Sequence, residues 1–229
     1  VDVAEPIKSE PARLGIPLSL AEALTLAEAE QAIRHKPCNV VAIVGPHDAG
    51  KTSLIASIYD LLQKGPLGSY RFAGSDTLYA FERACHDSRR ASQRDRPHME
   101  RTKLGEVTFF DLALFDATCS RKHRALLANR AGEDYVNTLA DPDLAGGYAE
   151  LGRADTITVL ADGEKLLGGE RHLARREMRL TLRAFLEANA TKPWQRLAIV
   201  LTKIDAIRSD EEKGAEALGY FDELVNTIR

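Results

Sequence analysis

The stretch Gly45-Pro46-His47-Asp48-Ala49-Gly50-Lys51-Thr52 constrains this chain more than any other. It satisfies G-x-x-x-x-G-K-[ST] and lies between the β-branched, charge-free run NVVAIV and a helical stretch from about Lys51 to Lys64. A strand buried on both faces, a glycine turn and a helix in that order point the free N–H groups of a helix start at an anion. Gly45 and Gly50 let the backbone curl around a phosphate, and Lys51 brings a point charge to the β- and γ-phosphates. Thr52 offers a hydroxyl to Mg²⁺, and Asp48, Ala49 and Ser53 complete the expected lining.

The remaining sequence supplies the layers such a loop needs. The runs EVTFFDLALF and KHRALLAN, separated by the polar DATCSR, predict an antiparallel hairpin, and DTITVLAD and RLAIVLT predict two further strands. Helices are expected near Thr77–Ser88, Glu133–Glu150, Gly169–Asn189 and Ser209–Ile228, the last opened by Ser209 and Glu212. RRASQRDRPHMER, without periodicity, reads as a loop. This alternation predicts an α/β fold, a three-layer P-loop NTPase sandwich with a mostly parallel sheet and one antiparallel hairpin strand. Residues 1–18, with Pro6, Pro11 and Pro17, read as an extended arm. A helix follows, capped by Ser19 and Glu22, with Leu20, Ala23, Leu24 and Ala27 on one face and Pro37 as its stop. The expected division is therefore 1–36, arm and helix, and 37–229, the P-loop domain.

Composition excludes several functions. With 31 Lys+Arg against 34 Asp+Glu, the net charge of −3 argues against a nucleic-acid binder acting through bulk charge. The longest apolar run, Val40 to Val44, is far below the roughly 18 residues of a membrane span, and the polar start VDVAEPIKSE holds no secretory signal. Cys38, Cys85 and Cys119 are widely spaced, without a CxxC pair, and the six histidines show no HxH or HxxxH spacing. No zinc framework is expected, and a reducing, cytoplasmic compartment is.

A phosphate loop does not choose its base. After RLAIVL, however, Thr202-Lys203-Ile204-Asp205 matches [NT]KxD at the strand end where open α/β sheets bind ligands. The Lys203 stem can lie over a purine, and the Asp205 carboxylate can accept from guanine N1–H and N2–H, a donor pair adenine lacks. ATP binding would make this motif a coincidence. Two switch elements are expected between these anchors. Thr102, just before the first hairpin strand, is the candidate for Mg²⁺ and the γ-phosphate. After the second hairpin strand, Gly132 offers an N–H to the γ-phosphate and Glu133 stands where a water-orienting residue belongs. Asn129 occupies the place of the acid that would help hold the metal, and a neutral amide holds a hydrated Mg²⁺ less well. Arg89, Arg90, Arg94, Arg96 and Arg101 lie near this switch and read as a solvated basic loop rather than as a source of a cis arginine finger. The basic helix holding Arg171, His172, Arg175, Arg176, Arg179 and Arg183 is interleaved with Glu170, Glu177 and Glu187 and reads as a salt-bridged face.

With GPHDAGKT, a GE turn after a hairpin and TKID in that order, the chain resembles the translation-factor-related class of P-loop GTPases. The stretches AEAEQAIRHKPCNVVAIVG, FAGSDTLYAFERACHDSRRAS, RPHMERT and NRAGEDY are similar to the bacterial double-GTPase family, type 2, over about residues 20–207. The resemblance implies GTP/GDP and Mg²⁺ as ligands, a second protein of the same system as partner, and a setting in bacterial conflict and defence. Members generally carry Asp-x-x-Gly-Glu where this chain has Asn129, Gly132 and Glu133, which implies slow or partner-stimulated hydrolysis, or none in a pseudo-GTPase scaffold. Such cores also continue with one more strand, so the final strand is expected to be missing. LAIVL would then lie, buried on both faces, at a sheet edge that residues 1–18 or a partner cover.

Overall fold

The protein was examined as a computed structural model, which describes residues 22–92 and 102–228. Six strands, β1 (Asn39–Val44), β2 (Tyr70–Gly74), β3 (Val107–Asp116), β4 (Arg121–Arg130), β5 (Thr156–Asp162) and β6 (Arg196–Thr202), form one sheet in the order β2-β3-β4-β1-β5-β6. β1 pairs in parallel with β4 and β5, and β5 with β6, while β3 runs antiparallel to both β2 and β4. The predicted α/β sandwich with a single reversed hairpin strand is therefore the observed fold. The chain leaves β1 toward β4 on one side and later returns to its other side as β5, which opens a crevice at the carboxyl ends of the parallel strands.

Alternation along β1 divides the core. Val40, Ala42 and Val44 pack with Leu24, Tyr135, Leu151, Phe185 and Leu224 on one face. Ile43 faces Ile55, Tyr59, Phe81, Phe110 and Leu127 on the other, with the Tyr59 and Phe81 rings stacked at 4.9 Å. The helices α2 (Lys51–Lys64) and α3 (Leu78–Ser92) build this second layer. The first layer contains α1 (Leu26–His35), α4 (Gly132–Asn137), α5 (Ala149–Arg153) and α7 (Arg171–Glu187), joined by α9 (Gly214–Ile228). Two short helices, α6 (Gly163–Leu167) and α8 (Ile204–Ser209), pack with α9 through Leu166, Ile207 and Ala217.

Several boundaries differ from the sequence expectation for local reasons. Among the described residues the first helix begins at Leu26: Thr25 and Glu28 close the capping box, and Leu24, expected on a helix face, instead bridges Phe109 of β3 through backbone hydrogen bonds of 2.8 and 2.9 Å. α3 runs on to Ser92, so Arg89 is helical and pairs with Asp60 of α2 at 3.0 Å. The helix expected over Glu133–Glu150 is broken into α4, a 3₁₀ turn (Pro142–Gly147) and α5, because Pro142 lacks an N–H and Gly146-Gly147 weakens any continuation. The last helix, expected from Ser209, begins at Gly214 as α9, and Ser209 instead ends the short α8. Asp210, whose Oδ1 accepts from the N–H of Glu212 and Lys213, leads into α9, while the Ser209 hydroxyl bonds back to Asp205 O. β6 lies at the sheet edge as expected, yet it is half-buried rather than buried on both faces, with Leu197 47% exposed. The arm at residues 1–18, Ser19, Leu20, Arg94, Arg96 and Arg101 lie outside the described residues. No helix among the described residues is long and apolar enough to cross a membrane.

Candidate functional site

The carboxyl ends of β1, β4, β5 and β6 bring the predicted loops together. Gly45 is required by close packing: a Cβ there would meet Ala49 Cβ at 3.1 Å and Leu160 Cβ at 3.2 Å. Asp48 and Gly50 adopt left-handed backbone, φ 58° and 87°, which curls the loop before α2. Lys51 is buried and donates from Nζ to Gly45 O at 2.8 Å and Pro46 O at 2.9 Å. Burial pushes its pKa down to about 8, against the opposing pull of Glu133 and Asp48. His47 lies between those carboxylates, with Nε2 3.0 Å from Asp48 Oδ2 and Nδ1 3.4 Å from Glu133 Oε1. Thr52 and Ser53 follow Lys51 in the first turn of α2.

Three residues proposed from separate parts of the sequence meet at Asn129. Its Nδ2 donates to Thr52 Oγ1 at 3.2 Å and to Thr102 Oγ1 at 3.1 Å, while its Oδ1 is buried with no hydrogen-bond partner among the described residues. Two hydroxyls and an orphaned amide oxygen are hard, neutral donors. They fit a hydrated Mg²⁺ whose charge is balanced by nucleotide phosphate rather than by the protein.

Gly132 packs on the phosphate loop so closely that a Cβ would meet His47 N and Pro46 C, both at 2.4 Å. Under this turn the buried Arg130 forms a bidentate pair with Glu150, 2.5 and 3.0 Å, and reaches Asp134 at 3.2 Å. Burial is the largest single influence and opposes the charge of Arg130, but its hydrogen bonds and charge interactions with Glu150 and Asp134 together outweigh it and raise its pKa. Asp134 also accepts from the Gly105 N–H at 3.0 Å, so the segment after Thr102 and the turn at Gly132 share one ionic anchor.

On the far side, the Thr202 hydroxyl lies 2.9 Å from Ala49 O and 3.1 Å from Ala161 O, which ties the end of β6 to the phosphate loop and to β5. Lys203 takes left-handed backbone, φ 51°, and its Nζ contacts Asp162 Oδ2 at 2.9 Å and Glu164 Oε2 at 2.6 Å. Burial lowers its pKa and these two carboxylates raise it further, for a net increase. Asp205 is exposed in the first turn of α8.

The sequence model of Double-GTPase 2 matches residues 39–225. The chain belongs to the Double-GTPase 2 family. Membership makes it a GTP-binding P-loop protein; no curated protein matches it in sequence. In this Double-GTPase 2 domain the fourteen nominated positions lie on strand ends, helix starts and loops at one end of the sheet, from Gly45 in the phosphate loop to Asp205 in α8. Sequence reasoning missed His47, Asp162, Glu164 and the Arg130–Glu150 pair. Asp162 and Glu164 carry a usable signal, since they flank Gly163 at a strand end beside the TKID strand. A Cβ on Gly163 would meet Thr202 O at 2.6 Å. Arg89, nominated near the switch, is turned to Asp60 instead.

Proposed function

We propose that this chain is a guanine-nucleotide switch that binds GTP and GDP with Mg²⁺ and hydrolyses GTP slowly, or when a partner stimulates it. The observation that carries the reading is the 2.9 Å contact of Thr202 Oγ1 with Ala49 O, which sets the TKID motif against the phosphate loop. Lys51 and the backbone N–H groups of Gly50 to Thr52 bind phosphate. Lys203 covers the base, and Asp205 discriminates guanine. Thr52 and Thr102 hold the metal, with Asn129 accepting from its water shell. When bound, Mg²⁺ neutralises charge on the transferring phosphoryl group. Glu133, fixed by His47, orients the attacking water, and the Gly132 N–H receives the γ-phosphate.

A second reading, a pseudo-GTPase scaffold that binds without hydrolysing, draws on Asn129: the group that bonds Thr52 and Thr102 is an amide and not a carboxylate. The resemblance also supports cytoplasmic work in a bacterial defence system with a second protein of that system. The test is calorimetric competition of GTP, GDP and ATP. GTP and GDP should bind far better, and Asp205→Asn should erase most of the preference without changing the melting temperature. Equal affinity of the wild type for ATP would refute the guanine assignment.

A further inference from the structure

We propose that the tip of the β3–β4 hairpin, at the opposite end of β4 from Asn129, is a site for a borderline-soft divalent transition-metal ion such as Zn²⁺, held by Asp116, Cys119 and His123. The residues come from three pieces of backbone. Asp116 ends β3, and Cys119 stands in the turn that closes with Ser120 in left-handed conformation at φ 53°. His123 is in β4 opposite Leu114, one diagonal step from Asp116 on the same sheet face. The turn brings Cys119 Sγ to 3.4 Å from Asp116 Oδ2. One ligand atom from each of the three lies within 4.8 Å of the others.

Donors of one tetrahedral Zn²⁺ at about 2.0–2.3 Å are roughly 3.5 Å apart, so side-chain movements of about 1 Å close the set. Cys119 is exposed and His123 half-buried, which leaves them room to move. The third donor is already oriented. Asp116 Oδ1 is engaged by Thr118 N at 2.9 Å and Thr118 Oγ1 at 2.7 Å, Oδ2 accepts from Cys119 Sγ at 3.4 Å, and Ser69 is a further hydrogen-bond partner of the carboxyl. Hydrogen bonds behind a ligating carboxylate are what fix a metal ligand in place.

Carboxylate, thiolate and imidazole together suit Zn²⁺ or Co²⁺ and disfavour Mg²⁺ and Ca²⁺, which take oxygen alone. Three protein donors leave the fourth position to water on the exposed side. A turn stabilised by Asp116 explains its bonds to Thr118, yet it requires neither a sulfur nor a ring nitrogen beside Oδ2. The zinc expectation from spacing was negative because Cys119 and His123 meet only once the hairpin folds. Asn129 is six residue steps from His123 along β4, so the site is about 20 Å from the proposed metal-binding end of the nucleotide site.

The test is titration of metal-stripped full chain with Co²⁺ and Zn²⁺ in excess GDP and Mg²⁺. One equivalent of Co²⁺ should bind with a thiolate charge-transfer band and the absorption of a tetrahedral ion, and be displaced by Zn²⁺. Cys119→Ser should abolish the charge-transfer band, and His123→Gln should cost about 10–100-fold in affinity. Cys38→Ala should change neither. His123→Gln leaves the Asp116 turn intact, so loss of fold does not confound it; unchanged GDP binding by each variant confirms this. Absence of stoichiometric Co²⁺ binding, or binding unaltered in both Cys119→Ser and His123→Gln, would overturn the proposal. Neither result depends on whether GTP is hydrolysed.

Discussion

Nucleotide affinity should fall as pH rises above about 8, because the lysine that meets the phosphates is held in a dry pocket. Lys51 has two backbone carbonyls as its hydrogen-bond partners, and burial holds its pKa at about 8, whereas phosphate oxygens would keep it protonated once nucleotide is bound. The charged fraction of empty protein then drops from about 0.9 at pH 7 to about 0.1 at pH 9, an affinity loss of about tenfold with uptake of about 0.9 proton on binding at pH 9. Titration calorimetry of GDP·Mg²⁺ in two buffers of different ionisation heat reads both quantities. Lys51→Arg is the reference, since arginine stays charged and any titration of the nucleotide itself is common to both proteins. Stability should move the other way. Between about pH 8 and the ordinary 10.5, the unfolded chain binds more protons than the folded one. Lys51 therefore makes the empty fold more stable as pH rises, by up to about 3 kcal/mol across the window. Urea unfolding of the empty protein, wild type against Lys51→Arg, checks that arm. Proton uptake at pH 9 no greater than at pH 7, together with a stability difference flat across the window, would refute the reasoning.

Asn129→Asp should strengthen Mg²⁺ binding and raise single-turnover GTP hydrolysis on the order of tenfold, because a carboxylate would replace the amide beside Thr52 and Thr102. Brisk wild-type hydrolysis, unchanged by the substitution, would discard the impairment and the pseudo-GTPase reading together. Glu150→Gln leaves the buried Arg130 without its bidentate anion and should cost about 3–5 kcal/mol, a fall in melting temperature of about 10 °C by calorimetry. Thr202→Val removes the hydroxyl shared between Ala49 O and Ala161 O. It should weaken GDP binding by about 1 kcal/mol, roughly fivefold, while keeping the preference for guanine over adenine in a competition assay.

What was legible in the sequence was local. NVVAIV, the two hairpin runs and the two later strands carry their signal in consecutive residues, and all five are strands. β2 was not, since its Tyr70 and Arg71 are exposed and its place is set by pairing with Asp116 and Phe115 of β3. α6 is five residues long, too short for any periodicity, and is held by the Asp162 cap. Pro142 and Gly146-Gly147 mark the break after α4 in the sequence itself, and the helix expected over Glu133–Glu150 runs through them. In the site, phosphate loop and base motif are spacing rules and could be read directly. The His47–Glu133, Lys203–Asp162 and Arg130–Glu150 pairs join separate segments, and only the strand order determines which of many charged residues become neighbours.

Those pairings share a physical logic. Several donors nominated for nucleotide already have protein partners: Lys51 the carbonyls of its own loop, Lys203 the carboxylates of Asp162 and Glu164, the Asn129 Nδ2 two hydroxyls. Nucleotide therefore gains only the difference between new contacts and those it displaces. For Lys51 that difference is large, because neutral carbonyls give way to phosphate and a desolvated ammonium acquires a counter-charge. For Lys203 it is small, since two carboxylates already satisfy the charge, and its contribution is the apolar stem laid over the base. Affinity should then reside mostly in the phosphate loop and selectivity mostly in Asp205, whose carboxylate is exposed and has no such contact to give up among the described residues. Asn129 Oδ1, buried and unsatisfied among the described residues, lies where the two proposed switch segments and the phosphate loop converge, so a group that bonds to it draws all three together.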